Sequence, residues 1–265
     1  MPLTREEFLY MAKVCEQSER YEDMLTNMKA LLESAIKNPT KPEVSSDNDK
    51  EDPNCLINEE ERNLLSVAFK NMVGTRRTAW RSICMLEEKE IKKGDSYKIE
   101  ILTSFKKRLE DELDDICNDI IGILDKDLIT DNLAAQTKVF FLKMKADYYR
   151  YIAEYATGER KEKVIQAAKE AYSQANDVAE NEKLKKTNPV RLGLSLNYSV
   201  FYYEALKNPK EACELAKRAF DDAISEIETI DESDYKDATT IMQLIRDNLT
   251  LWTSEMEADE DEDDQ

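Results

Sequence analysis

Residues that break regular structure are scarce in this chain: it has five glycines and six prolines in 265 residues. Glycine and proline end helices and build the tight turns between strands. A chain with so few must form long uninterrupted elements, and Leu, Glu, Lys and Ala, all strong helix formers, fill the intervals. The expected class is all-α. At 41% apolar content this length buries a substantial core.

Composition also removes whole classes of chemistry. Histidine is absent, and with it go the commonest general base, the usual zinc ligand and every Ser-His or Cys-His nucleophile arrangement. Cys15, Cys55, Cys84, Cys117 and Cys213 are odd in number and contain no C-x-x-C pair, so neither a disulfide framework nor a thiolate metal site is expected. The glycines are isolated, which rules out the P-loop and the dinucleotide fingerprint. Gly193-Leu-Ser-Leu-Asn197 misses the G-x-S-x-G elbow at its last position. No metal, no cofactor and no enzyme are expected. The net charge of -19 disfavours nucleic acid, whose phosphates are bound through Lys and Arg clusters. No run approaches the roughly 20 apolar residues of a bilayer span, and no signal-peptide core opens the chain, so no membrane insertion is expected. The location expected is cytoplasmic, with the nucleus open.

Read in order, residues 3–37 form two helices broken near Ser18 to Arg20, with Phe8, Met11, Val14 and Cys15 on one face. That face suits either a second copy or the chain's own domain. Residues 38–57 hold three of the six prolines among Ser, Asp and Asn, a loop insertion by composition. A helix opens at Asn58, suited to cap it, and runs to about 91. Helices of about 97–126, 132–156 and 160–182 follow, broken near Thr130 or Asp131 and at Thr157-Gly158. Asn188-Pro189 and Asn208-Pro209 open two more, since Pro suits the first turn. The last covers about 233–256. The expected architecture is nine antiparallel helices in a single domain, 1–254, with 255–265 as an acidic disordered tail.

Three stretches carry chemistry. Along Lys143 to Tyr155, helical spacing puts Lys143, Asp147, Arg150, Tyr151 and Glu154 on one stripe. Alone, such a stripe is better explained as an ordinary solvated face. Lys70 and Arg77, seven apart, share a face of another helix, so Lys70, Arg77 and Arg150 form a candidate anion site in a strongly acidic protein. Guanidinium groups bind phosphate oxygens in pairs, Lys adds a point charge, and the Tyr151 hydroxyl adds a donor. Asn197 and Asn248 offer both a donor and an acceptor, as an extended peptide backbone requires. On spacing alone the readier account is that each serves a neighbouring helix end. Val200, Leu244, Leu251 and Trp252 suit a peptide's side chains.

Four motifs resemble the 14-3-3 family, over nearly the whole chain: Arg62-Asn-Leu-Leu-Ser-Val-Ala-Phe-Lys-Asn-Met-Val-Gly-Thr-Arg-Arg77, Tyr148-Tyr-Arg-Tyr-Ile-Ala-Glu154, Arg191-Leu-Gly-Leu-Ser-Leu-Asn-Tyr-Ser-Val-Phe-Tyr-Tyr-Glu204 and Arg246-Asp-Asn-Leu-Thr-Leu-Trp-Thr253. The resemblance implies a cup-shaped protomer with a concave peptide groove, dimeric through its N-terminal helices as a homodimer or heterodimer. It implies an adaptor that clamps, masks or bridges Ser/Thr-phosphorylated clients. By the same resemblance Lys70, Arg77, Arg150 and Tyr151 hold the phosphate. Lys143, Leu196, Asn197, Val200, Glu204, Leu244, Asn248, Leu251 and Trp252 meet the peptide. Val14, Arg20, Asp23, Phe105, Arg108 and Glu112 belong to the dimer interface, with Arg20–Glu112 and Asp23–Arg108 as pairs between subunits. Phe105 stands where the family usually has Tyr, and Ala79 where many members have a Ser whose phosphorylation loosens the dimer. The alternative, resting on charge alone, is an acidic helical chaperone or scaffold that holds basic or unfolded clients without reading phosphate.

Overall fold

A computed structural model describes residues 3–38 and 52–263. Residues 39–51, which hold most of the expected loop, and the last two residues of the expected tail lie outside the described residues. The chain divides into two compact units, Met1–Leu133 and Ala134–Gln265, each described by itself. Nine α-helices and no strand occur among the described residues.

In the first unit α1 (Arg5–Gln17) begins at Thr4. The Thr4 side chain accepts from the Glu7 amide, and Glu7 accepts in return from the Thr4 amide, so two of the unpaired amides of the first turn are satisfied at once. α2 (Tyr21–Lys37) follows after a turn in which Glu19 takes a left-handed φ of 55°. α3 (Glu59–Lys93) opens with the same reciprocal device between Asn58 and Glu61, at 2.9 Å in each direction. Glu61 also receives Arg5 at 2.7 and 2.6 Å, while Arg5 reaches the Leu56 carbonyl at 3.1 Å, tying the starts of α1 and α3 together. α3 ends at Gly94, whose φ of 75° is readily adopted only without a Cβ. α4 (Ser96–Ile123) packs on α3 and passes into one wide π-helical turn, Leu124–Leu128. The spacing had suggested a plain α-helix to about 126. Met24, Leu31, Phe69, Leu113, Cys117 and Leu124 are buried in this unit.

In the second unit α5 (Ala135–Tyr155) packs on α6 (Gly158–Asn181) and on α7 (Pro189–Glu204). Asn188 caps α7, accepting from the Val190 and Arg191 amides at 3.0 and 3.2 Å. Asn208 caps α8 (Pro209–Ser225), accepting from Glu211 at 3.2 Å. Each is followed by a proline at the first helical position, which lacks an amide to satisfy. A short 3₁₀ turn, Ile227–Thr229, leads to α9 (Glu232–Asp263). α7, α8 and α9 bury Leu192, Ala212, Ala216, Ala223, Met242, Ile245 and Trp252 between them. The small alanines let these helices approach closely, and each fully buried larger side chain contributes about 1.5–3 kcal/mol.

The last helix does not stop near residue 256 as the sequence reading placed it. It continues through most of the expected tail to Asp263. Glu255, Met256, Glu257 and Ala258 are good helix formers, and neither Gly nor Pro interrupts the segment.

Candidate functional site

The stripe on α5 is the centre of a polar cluster inside the second unit. Asp147 is 5% exposed, and such a carboxylate requires partners to remain charged. Four side chains supply them. Lys143, one turn earlier, donates to its Oδ2 at 2.8 Å. Asn197 of α7 donates Nδ2 to both oxygens at 2.9 Å. The Tyr172 hydroxyl of α6 donates to Oδ1 at 2.5 Å. Arg150 Nη2 stands 3.5 Å from the same oxygen. Burial by itself would raise the Asp147 pKa, but the charges of Lys143 and then Arg150 outweigh it and hold the carboxyl below its ordinary value.

Arg150 is enclosed on several sides. Its guanidinium lies over the Tyr151 ring, 4.8 Å from the centroid, the geometry of a cation–π contact. Its Nε donates to the Tyr172 hydroxyl at 3.2 Å. Nη1 stands 3.6 Å from Glu204 Oε2, an ion-pair distance too long for a hydrogen bond. Desolvation works against the charge, yet Tyr172 and Asp147 keep the Arg150 pKa above its usual value. Tyr172 is fully buried, and that burial, followed by the charge of Asp147, raises its hydroxyl well above the ordinary tyrosine range. Near neutrality the site therefore holds a cation, an anion and a hydroxyl donor.

The ionised Asp147 accepts only, so Asn197 must turn its NH₂ inward, which leaves its amide oxygen as the free acceptor. Around this amide, Leu196 and Val200 of α7 pack on the α7–α8–α9 cluster, half-buried. Trp252 is buried in the same cluster, its ring stacked on Tyr203 at 4.7 Å. Leu244 and Leu251 of α9 are 48% and 54% exposed, and Asn248 between them is half-buried. α7 and α9 thus present apolar side chains and amides together.

Lys70 and Arg77 lie in the first unit on α3, Lys70 exposed and Arg77 half-buried. The neighbouring Arg76 is turned inward to Glu112 at 2.9 Å and the Met72 carbonyl at 3.1 Å, with Glu22 at 3.3 Å. Of the interface residues, Val14 on α1 and Phe105 on α4 are 38% and 39% exposed. Arg108 covers the Phe105 ring at 4.5 Å. Within one chain Arg20 pairs with Asp23 and Glu112 with Arg76.

A family model for the 14-3-3 protein family matches residues 11–253. The chain belongs to the 14-3-3 family. It is 49% identical over 253 residues to 14-3-3 protein I of Plasmodium falciparum, covering 96% of this chain and 91% of that one. It is 48% identical to the checkpoint signal transducer rad24 of Schizosaccharomyces pombe, covering 96% and 87%, and 46% identical to human 14-3-3 protein eta, covering 97% of each. Membership supports a phosphopeptide-binding adaptor role in general.

For a 14-3-3 chain, then, the second unit gathers Lys143, Arg150 and Asn197 around one carboxylate, with Tyr151 and Glu204 set against Arg150. The sequence reading placed Asp147 on the right stripe but gave it no part in the site, and it passed over Tyr172. The only sequence signal for Tyr172 is a lone aromatic with a hydroxyl among small residues, Ala168 to Ala175, where a helix packs closely. Among the described residues no group of three or more His, Cys, Asp or Glu side chains is arranged to hold a metal ion. No helix among them is long and apolar enough to cross a membrane.

Proposed function

We propose that this 14-3-3 chain is a dimeric adaptor that reads phosphoserine or phosphothreonine in client proteins and regulates those clients by clamping, masking or bridging them. The observation that carries the reading is the state of Arg150. Its side chain is 10% exposed and its guanidinium is fixed along the Nε edge, while both Nη nitrogens stand beyond hydrogen-bond distance from a carboxylate, at 3.5 and 3.6 Å. A phosphate accepts two such donors at once and returns the charge compensation that burial demands. Lys70, Arg77 and Tyr151 are assigned to the same phosphate. Asn197 and Asn248 are assigned to the peptide backbone, and Lys143, Leu196, Val200, Glu204, Leu244, Leu251 and Trp252 to its side chains.

No catalytic step is part of this reading. Asp147 is engaged by four side chains and stays ionised, which suits holding cations rather than moving protons. Dimerisation falls to the first unit, where Tyr10, Met11 and Val14 of α1 and Tyr97, Ile101 and Phe105 of α4 are exposed apolar side chains. Arg20–Glu112 and Asp23–Arg108 would replace the present Arg20–Asp23 pair across a homodimer or heterodimer. Two linked sites then bind a doubly phosphorylated client with an effective concentration in place of a second encounter. A cytoplasmic location goes with this role.

The net charge of -19 favours the second reading, a chaperone that holds basic or unfolded clients irrespective of phosphate. The deciding experiment is an anisotropy titration of one labelled basic peptide, with its central serine phosphorylated or not, against the wild-type protein and Arg77→Ala. A charge-assisted contact of about 1.5–3 kcal/mol corresponds to roughly one to two decades of affinity. Binding of only the phosphorylated form, weakened by that factor in the variant, supports the adaptor. Equal binding of both forms, or less than a threefold effect of the variant, gives the chaperone the lead.

A further inference from the structure

The Tyr172 hydroxyl occupies a position that phosphate reading by itself does not explain. It accepts from Arg150 Nε at 3.2 Å and donates to Asp147 Oδ1 at 2.5 Å. It is the middle member of a relay from cation to anion. Its ring is fixed independently, stacked on Tyr198 at 5.0 Å and tilted against Phe201 at 5.4 Å. The hydroxyl therefore has one place to be, and Arg150 must come to it.

A guanidinium offers two ways to bind an oxyanion through paired N–H groups: end-on through Nη1 and Nη2, or side-on through Nε and one Nη. With Nε engaged by Tyr172, the side-on edge is closed. We propose that Tyr172 is a positioning residue of the phosphate site: it fixes the rotation of the Arg150 guanidinium so that a phosphate meets the two Nη donors end-on. This rests on the phosphate-reading role given above. Tyr172 does not touch the ligand and acts through Arg150 alone.

The relay also links two kinds of recognition. Asp147, which receives the Tyr172 hydroxyl, holds the Asn197 amide as well. One carboxylate thus sets the orientation of the phosphate reader and of a backbone reader on a different helix. Burial and the charge of Asp147 keep the Tyr172 hydroxyl protonated well above the ordinary tyrosine range, so the relay does not open on the alkaline side of neutrality.

The test is a cycle in the full-length protein with Tyr172→Phe, Arg150→Lys and both together, titrated with the labelled phosphopeptide and its unphosphorylated form. Phe keeps the ring packing and removes only the hydroxyl. Lys keeps a cation but has no second nitrogen to orient. Tyr172→Phe is expected to weaken phosphopeptide binding roughly three- to tenfold, the scale of one hydrogen bond. In the Arg150→Lys background the same change is expected to cost less than twofold. A loss below twofold in the otherwise wild-type protein overturns the positioning role. Equal losses in both backgrounds overturn it too, by showing a merely structural effect. Wild-type protein that binds both peptide forms equally removes the phosphate-reading role itself, and with it this one. A second measurement needs no variant. In ¹⁵N spectra of the wild-type protein, the Arg150 Nε–H is expected to be protected from solvent exchange, and exchange as fast as that of an exposed arginine would overturn the relay.

Discussion

Two arginines of the second unit are both nearly buried, and they do different things. Arg191, at the start of α7, is 8% exposed and directs its guanidinium into the protein. Nη1 donates to the Leu184 carbonyl at 2.5 Å and the Ala179 carbonyl at 3.3 Å, and Nη2 is paired with Glu180. Both ends of its fork are occupied, and its work is to tie the turn after α6 to α7. Arg150 is about as enclosed, but its protein partner holds the Nε edge and the fork is left without a hydrogen bond. Burial, charge and ion pairing are common to the two. On the proposed role of Arg150, what separates a tie from a reader is which nitrogens the protein has taken.

The largest effect that would test this difference comes from removing what both halves of the Arg150 site lean on. Asp147→Ala leaves Lys143 and Arg150 without their buried counter-charge, and urea unfolding is expected to show a loss of about 3–5 kcal/mol. A loss below 1 kcal/mol would mean the cluster is far better solvated than its exposure implies. Next, Arg191→Ala strands two backbone carbonyls and is expected to cost about 2 kcal/mol of stability. In the same variant the ratio of phosphorylated to unphosphorylated peptide affinity should stay within twofold of wild type. If Arg191→Ala abolishes that ratio while Arg150→Ala does not, the assignment of tie and reader is reversed.

The smallest effects concern pH. Asp147 has a lowered pKa in the folded chain, so its ionisation stabilises the fold above the unfolded value of about 3.9, and that contribution is lost as pH falls through the folded value. The stability difference between wild type and Asp147→Asn is therefore expected to be constant from pH 5 to 8 and to shrink only under strong acid. Phosphopeptide affinity should behave differently. It is expected to weaken severalfold as pH drops through about 6, where the phosphate loses its second charge. Matching profiles for stability and affinity would place the titrating group in the protein instead of the ligand.

Much of the fold was legible because it is written in local signals. Asn58, Asn188 and Asn208 each begin a helix as their residue type and the following residues suggest, and Gly94 and Gly158 mark breaks at left-handed φ. Other joints were hidden, because Lys183 and Lys207 hold left-handed φ of 54° and 52° with side chains that rarely adopt it. Nothing in a lysine announces such a turn. The π-helical turn at Leu124–Leu128 likewise leaves no compositional trace. Within the site, Lys143, Asp147, Arg150 and Tyr151 were visible together because one helix spaces them. Tyr172 was not, since its role depends on a contact between α5 and α6 that no spacing along the chain encodes.

The crowding of four partners on Asp147 has a consequence for how such a protein can vary. Lys143, Arg150, Tyr172 and Asn197 each meet the same carboxylate, so a change at any one alters the setting in which the others are judged. These positions behave as one heritable unit instead of five independent letters. A retuned site therefore calls for paired or multiple substitutions, whereas Leu244 and Leu251, exposed on α9 and outside that unit, can be exchanged one at a time without disturbing it.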